Sequence, residues 1–184
     1  MAHAPDQRSR VRAILRAVTC LLATVSTSLA AATALEYQVK AAFLLNFTRF
    51  VEWPSSAFAD AQAPLEICIL GKDPFGHVVD DVVKGEVVNA RKIQIRRIAE
   101  PSTARTCQVL FIDPGVKDVR RILGSLAPTV LTVSEGGSFL AEGGMIAFVV
   151  DNRRVRFDIN QTAADNGTLK LSSKLLSVAR SVSK

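Results

Sequence analysis

The 184-residue sequence is poor in the residue types that most chemistry needs. It has two histidines, three cysteines, two methionines, one tryptophan and one tyrosine. Structural zinc sites need four Cys or His ligands at set spacings, and after residue 34 only His77, Cys68 and Cys107 remain. No G-x-S-x-G elbow or P-loop occurs, which leaves serine-hydrolase and P-loop nucleotide chemistry without a motif. No carboxylate loop has the spacing a calcium site requires. Ten glycines and seven prolines exclude collagen-like and low-complexity architectures. After residue 34 there is no run of 18 apolar residues, so no later segment reads as a membrane span.

What is present is globular. Hydrophobic residues make up 48% of the chain and charged residues 22%, with a formal net charge of +6. The length fits one domain. Much of the positive charge sits at the start. Arg8, Arg10, Arg12 and Arg16 precede an uncharged run that ends in Ala32-Thr33-Ala34. This basic, then apolar, then small-residue order predicts a secretory signal peptide over 1–34, cleaved near Ala34. Removing those four arginines and Asp6 leaves 19 basic and 16 acidic residues, so a domain over 35–184 is only mildly basic. The expectation is an exported protein.

Export places the two remaining cysteines, Cys68 and Cys107, in an oxidising compartment. Both lie in strand-like segments, and neighbouring strands would let them pair. Two separate buried thiols are the alternative.

Periodicity predicts a helix over 36–53, a strand over 65–70, a helix from Pro74 to about Lys84, and strands at 87–88 and 92–98. Asp73 reads as the cap of the second helix. A strand at 109–112, a helix over 116–126 and a strand at 129–133 follow. The segment 134–144 reads as a loop. Strands at 145–150 and 154–159 flank Asp151-Asn152-Arg153, a hairpin signal. A short helix after Asn160 and a helix over 168–184 complete the reading. Strands alternating with helices predict an α/β fold, a mostly parallel sheet flanked by helices with an antiparallel hairpin near its C-terminal edge.

His77 has no nucleophile beside it and reads as a surface or half-buried histidine. Gly71-Lys-Asp-Pro-Phe-Gly76 follows a strand, where a phosphate loop would stand, but matches neither nucleotide motif. The basic cluster Arg91, Lys92, Arg96 and Arg97 lacks interleaved aromatics, so nucleic-acid stacking is not indicated. No cofactor is implied.

An ordered set of phrases is more specific. Tyr37-Gln-Val-Lys-Ala-Ala-Phe-Leu-Leu-Asn-Phe-Thr-Arg-Phe-Val-Glu-Trp-Pro54 comes first. Ile67-Cys-Ile-Leu-Gly71, Asp73-Pro-Phe-Gly76 and Cys107-Gln-Val-Leu-Phe-Ile112 follow. Gly143-Gly-Met-Ile-Ala-Phe148, Val155-Arg-Phe-Asp-Ile-Asn160 and Leu171-Ser-Ser-Lys-Leu-Leu176 close the set. In this order they resemble the YfiR family of exported bacterial proteins over roughly residues 36–180. The resemblance implies a periplasmic α/β protein without known catalysis. Its best-known member is a repressor. It holds an inner-membrane diguanylate cyclase inactive through the cyclase's periplasmic part, which lowers cyclic di-GMP and disfavours biofilm. The resemblance also implies a possible homodimer, and it matches Cys68 and Cys107 to one cysteine pair of that member. The member's second pair has no counterpart, because no cysteine follows Cys107.

Candidate contact residues for a partner or ligand are Asn46 and Arg49 in the first phrase, Phe139 and Leu140 before the hairpin, and Arg154 and Arg156 on it. For Phe139 and Leu140 the core reading is preferred over contact. The alternative function is a small-molecule binding module, using the crevice at the C-terminal strand ends bordered by Gly71–Gly76 and Asp113–Gly115.

Overall fold

The structure is a computed structural model that describes residues 33–184. The predicted leader lies outside the described residues up to residue 32. Contacts divide the chain into two units, 1–36 and 37–184. A helix over 33–50 crosses that division, and α1 denotes its residues 37–50.

The remaining elements are β1 Val51–Glu52, β2 Leu65–Leu70, α2 His77–Val83, β3 Val87–Val88, β4 Arg91–Ile98 and β5 Val109–Ile112. They continue with α3 Val119–Ser125, β6 Leu131–Glu135, α4 Ser138–Ala141, β7 Ile146–Asp151 and β8 Arg154–Asn160. The last are α5 Gln161–Asn166, β9 Lys170–Leu171, α6 Ser173–Val178 and β10 Ser181–Ser183. An eight-stranded sheet runs in the order β10-β8-β7-β6-β5-β2-β4-β3. The strands β4, β2, β5, β6 and β7 are mutually parallel, and β8 returns antiparallel to β7. The predicted α/β class and hairpin are both present.

Alternation explains the two sides of the sheet. Leu65, Ile67 and Ile69 of β2, with Val109 and Phe111 of β5, face a core that includes α1. Cys68, Leu70, Leu110 and Ile112 point the other way, onto Ile122 of α3 and Phe139 of α4. Strands buried on both faces read as continuous apolar runs, which is how β2 and β5 read in the sequence.

Phenylalanines tie the hairpin to α1. Phe43 and Phe47 meet Phe157 edge-on at 5.2 Å, and Phe47 stacks on Phe148 at 5.8 Å between ring centroids. The hairpin turns through Asn152 and Arg153, both in the left-handed region at φ 49° and 60°. Two-residue hairpin turns of this kind favour Asn-Gly. An arginine in place of that glycine costs about 1 kcal/mol.

Five expectations need correction. The first helix stops at residue 50 rather than 53, because Val51–Glu52 pairs antiparallel with β9. Asp73 caps a turn rather than a helix, accepting from the backbone N–H of Phe75 at 2.8 Å and of Gly76 at 3.1 Å. The α3 helix starts three residues late, after Asp118 adopts φ 56°. The predicted loop 134–144 contains the end of β6 and all of α4.

The largest difference is at the C-terminus. The predicted helix over 168–184 is instead β9, α6 and β10. Ser172 caps α6 by accepting from the N–H of Leu175. Ala179 is then extended, and β10 adds parallel to the free edge of β8. The Arg180 N–H donates to the Phe157 carbonyl at 2.8 Å. Its guanidinium clasps Asp158 with two hydrogen bonds. Edge pairing and a bidentate ion pair outweigh helix propensity here.

Candidate functional site

The strand order reverses between β2 and β5, where α/β folds commonly bind ligands. In this chain that point is filled. Gly71 is at φ 92°, and a Cβ added there would stand 2.7 Å from Val116 Cγ2. Asp113 turns its carboxylate back to accept from the Gly115 N–H at 2.9 Å. The crevice bordered by Gly71–Gly76 and Asp113–Gly115 is a packed turn. A shallower cleft of about 280 Å³ lies beside it, lined by Val116, Arg120, Glu135 and Glu142 among others.

Next to that cleft is an ion pair the sequence reading missed. Lys40 is 1% exposed, and its Nζ donates to Glu135 Oε2 at 2.7 Å. The ammonium also lies 4.5 Å from the Tyr37 ring centroid. The signal was available, because Lys40 stands on the buried stripe of α1 with Leu44 and Phe47. A charge on such a stripe requires a partner.

On the opposite face, Cys68 and Cys107 form a disulfide, with Cα atoms 5.9 Å apart. Cys68 belongs to β2, and Cys107 precedes β5, its neighbour. Arg96 of β4 covers the bridge. Its Nη2 is 3.4 Å from Cys107 Sγ and 3.7 Å from Cys68 Sγ, and it also reaches the Thr103 carbonyl and Glu66.

The arginines of the basic cluster are engaged inside the chain, and Lys92 is exposed. Arg97 bridges Asp73 and Asp80. Arg91 stacks on Phe58 at 3.8 Å and donates to two carbonyls. The Arg97 guanidinium, hydrogen-bonded to Asp80, holds the Asp80 carboxyl below its ordinary range. A depressed carboxyl stabilises the fold above its unfolded value of 3.8 and loses that contribution as pH falls through the folded value. Asp80→Asn therefore lowers the urea midpoint slightly at pH 7, and the difference shrinks as pH falls below 3.8 in paired denaturation curves. The effect is small because both groups are solvent-exposed.

The candidate contact residues do not converge on one place. Asn46 is half-buried on α1, where water reaches it and no internal partner is required. Arg49 is exposed and pairs with Glu86 at 2.6 Å, beside β3. Phe139 is 4% exposed and belongs to the core. Leu140 is half-buried, and its carbonyl accepts from Asn160 Nδ2 at 3.5 Å. Arg154 and Arg156 project from β8 on the sheet face away from α1. The register fixes this: Val150 faces Val155 on the α1 side, while Asp151 faces Arg154 and Val149 faces Arg156 on the other. His77 is exposed at the start of α2.

The YfiR/HmsC-like family pattern matches residues 37–180. The chain belongs to that family. Membership supports a periplasmic regulator in cyclic di-GMP signalling, in a family of regulators rather than enzymes. Among solved structures, the chain is similar to a conserved domain protein from Vibrio cholerae O1 biovar El Tor strain N16961, with a TM-score of 0.49 and 9% identity. The match covers 64% of this chain and 54% of that one, so this chain spans about half the length of that protein. No helix among the described residues is long and apolar enough to cross a membrane.

Proposed function

We propose that this YfiR/HmsC-like protein is a periplasmic repressor that binds the periplasmic part of an inner-membrane diguanylate cyclase. Binding holds the cyclase inactive and lowers cyclic di-GMP, favouring motility over biofilm. The observation that carries this reading is the family match over 37–180. A homodimer is part of the proposal.

The fold is suited to such work. A binding protein inhibits by favouring one of its partner's two states, and differential affinity of a few kcal/mol is sufficient. That requires a surface held in one shape. Here a disulfide joins β2 to the segment before β5, and the phenylalanine cluster fixes the hairpin on α1.

The test is a pull-down from detergent-solubilised native membranes with the tagged, exported chain, read by mass spectrometry. Retention of a membrane protein with a cytoplasmic cyclase domain is the expected result, followed by inhibition in a direct cyclase assay. Retention of a different sensor discards the cyclase. Retention of nothing by folded, oxidised protein overturns the reading. Light scattering on the purified protein is expected to give twice the chain mass.

A further inference from the structure

We infer that the β7–β8 hairpin is a docking surface for an acidic polypeptide segment, gripped by Arg153, Arg154 and Arg156. The inference rests on the regulator reading and names the chemistry of the partner at that surface.

The first observation is charge left unpaired. Most other arginines are engaged within the chain, Arg105 and Arg120 forming no ion pair among the described residues: Arg49 with Glu86, Arg96 with Glu66, Arg97 with Asp73 and Asp80, and Arg121 with Asp118. The hairpin holds three arginines, and none forms an ion pair among the described residues. The acidic groups on the hairpin are already in use. Asp158 is clasped by Arg180, and Asp151 accepts from Asn152 and lies in the field of Arg180. Three arginines against one carboxylate, Asp151 across from Arg154, leave the tip with an excess of positive charge.

The second observation is shape. Arg154 and Arg156 stand two residues apart on one face of β8, so their guanidinium groups line a short row. The helical core on that side includes Ala147 of β7 but not Val149. Val149, across from Arg156 on the same face, is half-buried and adds apolar contact next to the charges. Such a row matches carboxylates spaced along an extended chain, which guanidinium groups bind with two hydrogen bonds each.

The third observation is strain. Arg153 occupies a left-handed turn position at φ 60°, where glycine would be more stable. Residues held in unfavourable backbone regions concentrate at functional sites. An acidic protein fits better than an anionic membrane, because the tip offers one exposed valine and no aromatic side chain to insert among lipids.

The probes are fluorescent poly-L-glutamate and phosphatidylglycerol vesicles, titrated with the full exported chain. The expected result is salt-sensitive binding of poly-L-glutamate that falls at least ten-fold in R154E/R156E. A control of equal charge change, R120E/R121E on α3, keeps most of the affinity. Arg153→Gly is the variant that cannot fail by unfolding. It is expected to raise Tm by roughly 2–4 °C while weakening binding. No binding, equal loss in the control, or tighter capture by vesicles overturns the inference. The membrane pull-down separates the two proposals. A cyclase retained equally by wild type and R154E/R156E removes this surface and leaves the repressor reading intact. Loss of the cyclase from wild type removes the repressor reading, and the poly-L-glutamate titration still decides the surface.

Discussion

Lys40→Met is expected to destabilise the protein by about 3 kcal/mol, the lower end of the range for removing one partner of a buried ion pair. Glu135→Gln is expected to cost about the same or more. The asymmetry follows from burial. The Lys40 side chain is 1% exposed and that of Glu135 21%. The Glu135 side chain keeps some contact with solvent when the lysine is removed, whereas the Lys40 ammonium stays in the core, against the Tyr37 ring, when Glu135 is neutralised. The double variant Lys40→Met/Glu135→Gln buries no net charge and is expected to recover much of the loss. Chemical denaturation of all four proteins closes the cycle, and a coupling above about 1 kcal/mol establishes the pair. In melting experiments a single variant shifts Tm by roughly 6–12 °C. Single losses below about 1 kcal/mol that simply add would remove the pair from the account of stability.

This pair also shows where reading the sequence stops. The apolar stripe of α1 was visible because Phe43, Phe47 and their neighbours recur at helical spacing; the structure buries Phe47 and Val51, half-buries Phe43 and Phe50, and leaves Val39 exposed. Which carboxylate meets Lys40 was not visible. Glu135 lies 95 positions away, and only the sheet order brings β6 under α1. The central strands were legible because burial on both faces writes a continuous apolar run. The last 17 residues were misread for a related reason. Leu171, Leu175 and Leu176 do recur at helical spacing, but the free edge of β8 and the carboxylate of Asp158 are tertiary partners that no local pattern encodes. The hairpin was legible to within one residue at each strand end because its turn chemistry is local. Its arginines were legible as charge, and only the structure shows that the acidic groups around them are already engaged.

The disulfide is the other large term. Cys68→Ser or Cys107→Ser is expected to cost roughly 3–4 kcal/mol in the chain-entropy account of a loop of this span. The double variant is expected to be about as unstable as either single, because one bond is lost in all three. Reductant should bring the wild type to the same stability and leave the variants unchanged. Denaturation midpoints with and without reductant test this, and clearly additive losses would argue against the bridge. The placement of the bond predicts where the loss appears. It joins β2 to the segment before β5, on the face covered by α3 and α4, and nothing covalent holds the hairpin. The hairpin depends instead on Phe43, Phe47, Phe148 and Phe157, and β10 on the clasp between Arg180 and Asp158. Under mild reduction, amide exchange should therefore rise first in β2 and β5, while β7 and β8 keep their protection. A repressor contact made through the hairpin would then survive reduction that already weakens the centre of the sheet. Loss of poly-L-glutamate binding in step with disulfide reduction would show that the two ends of the sheet open together.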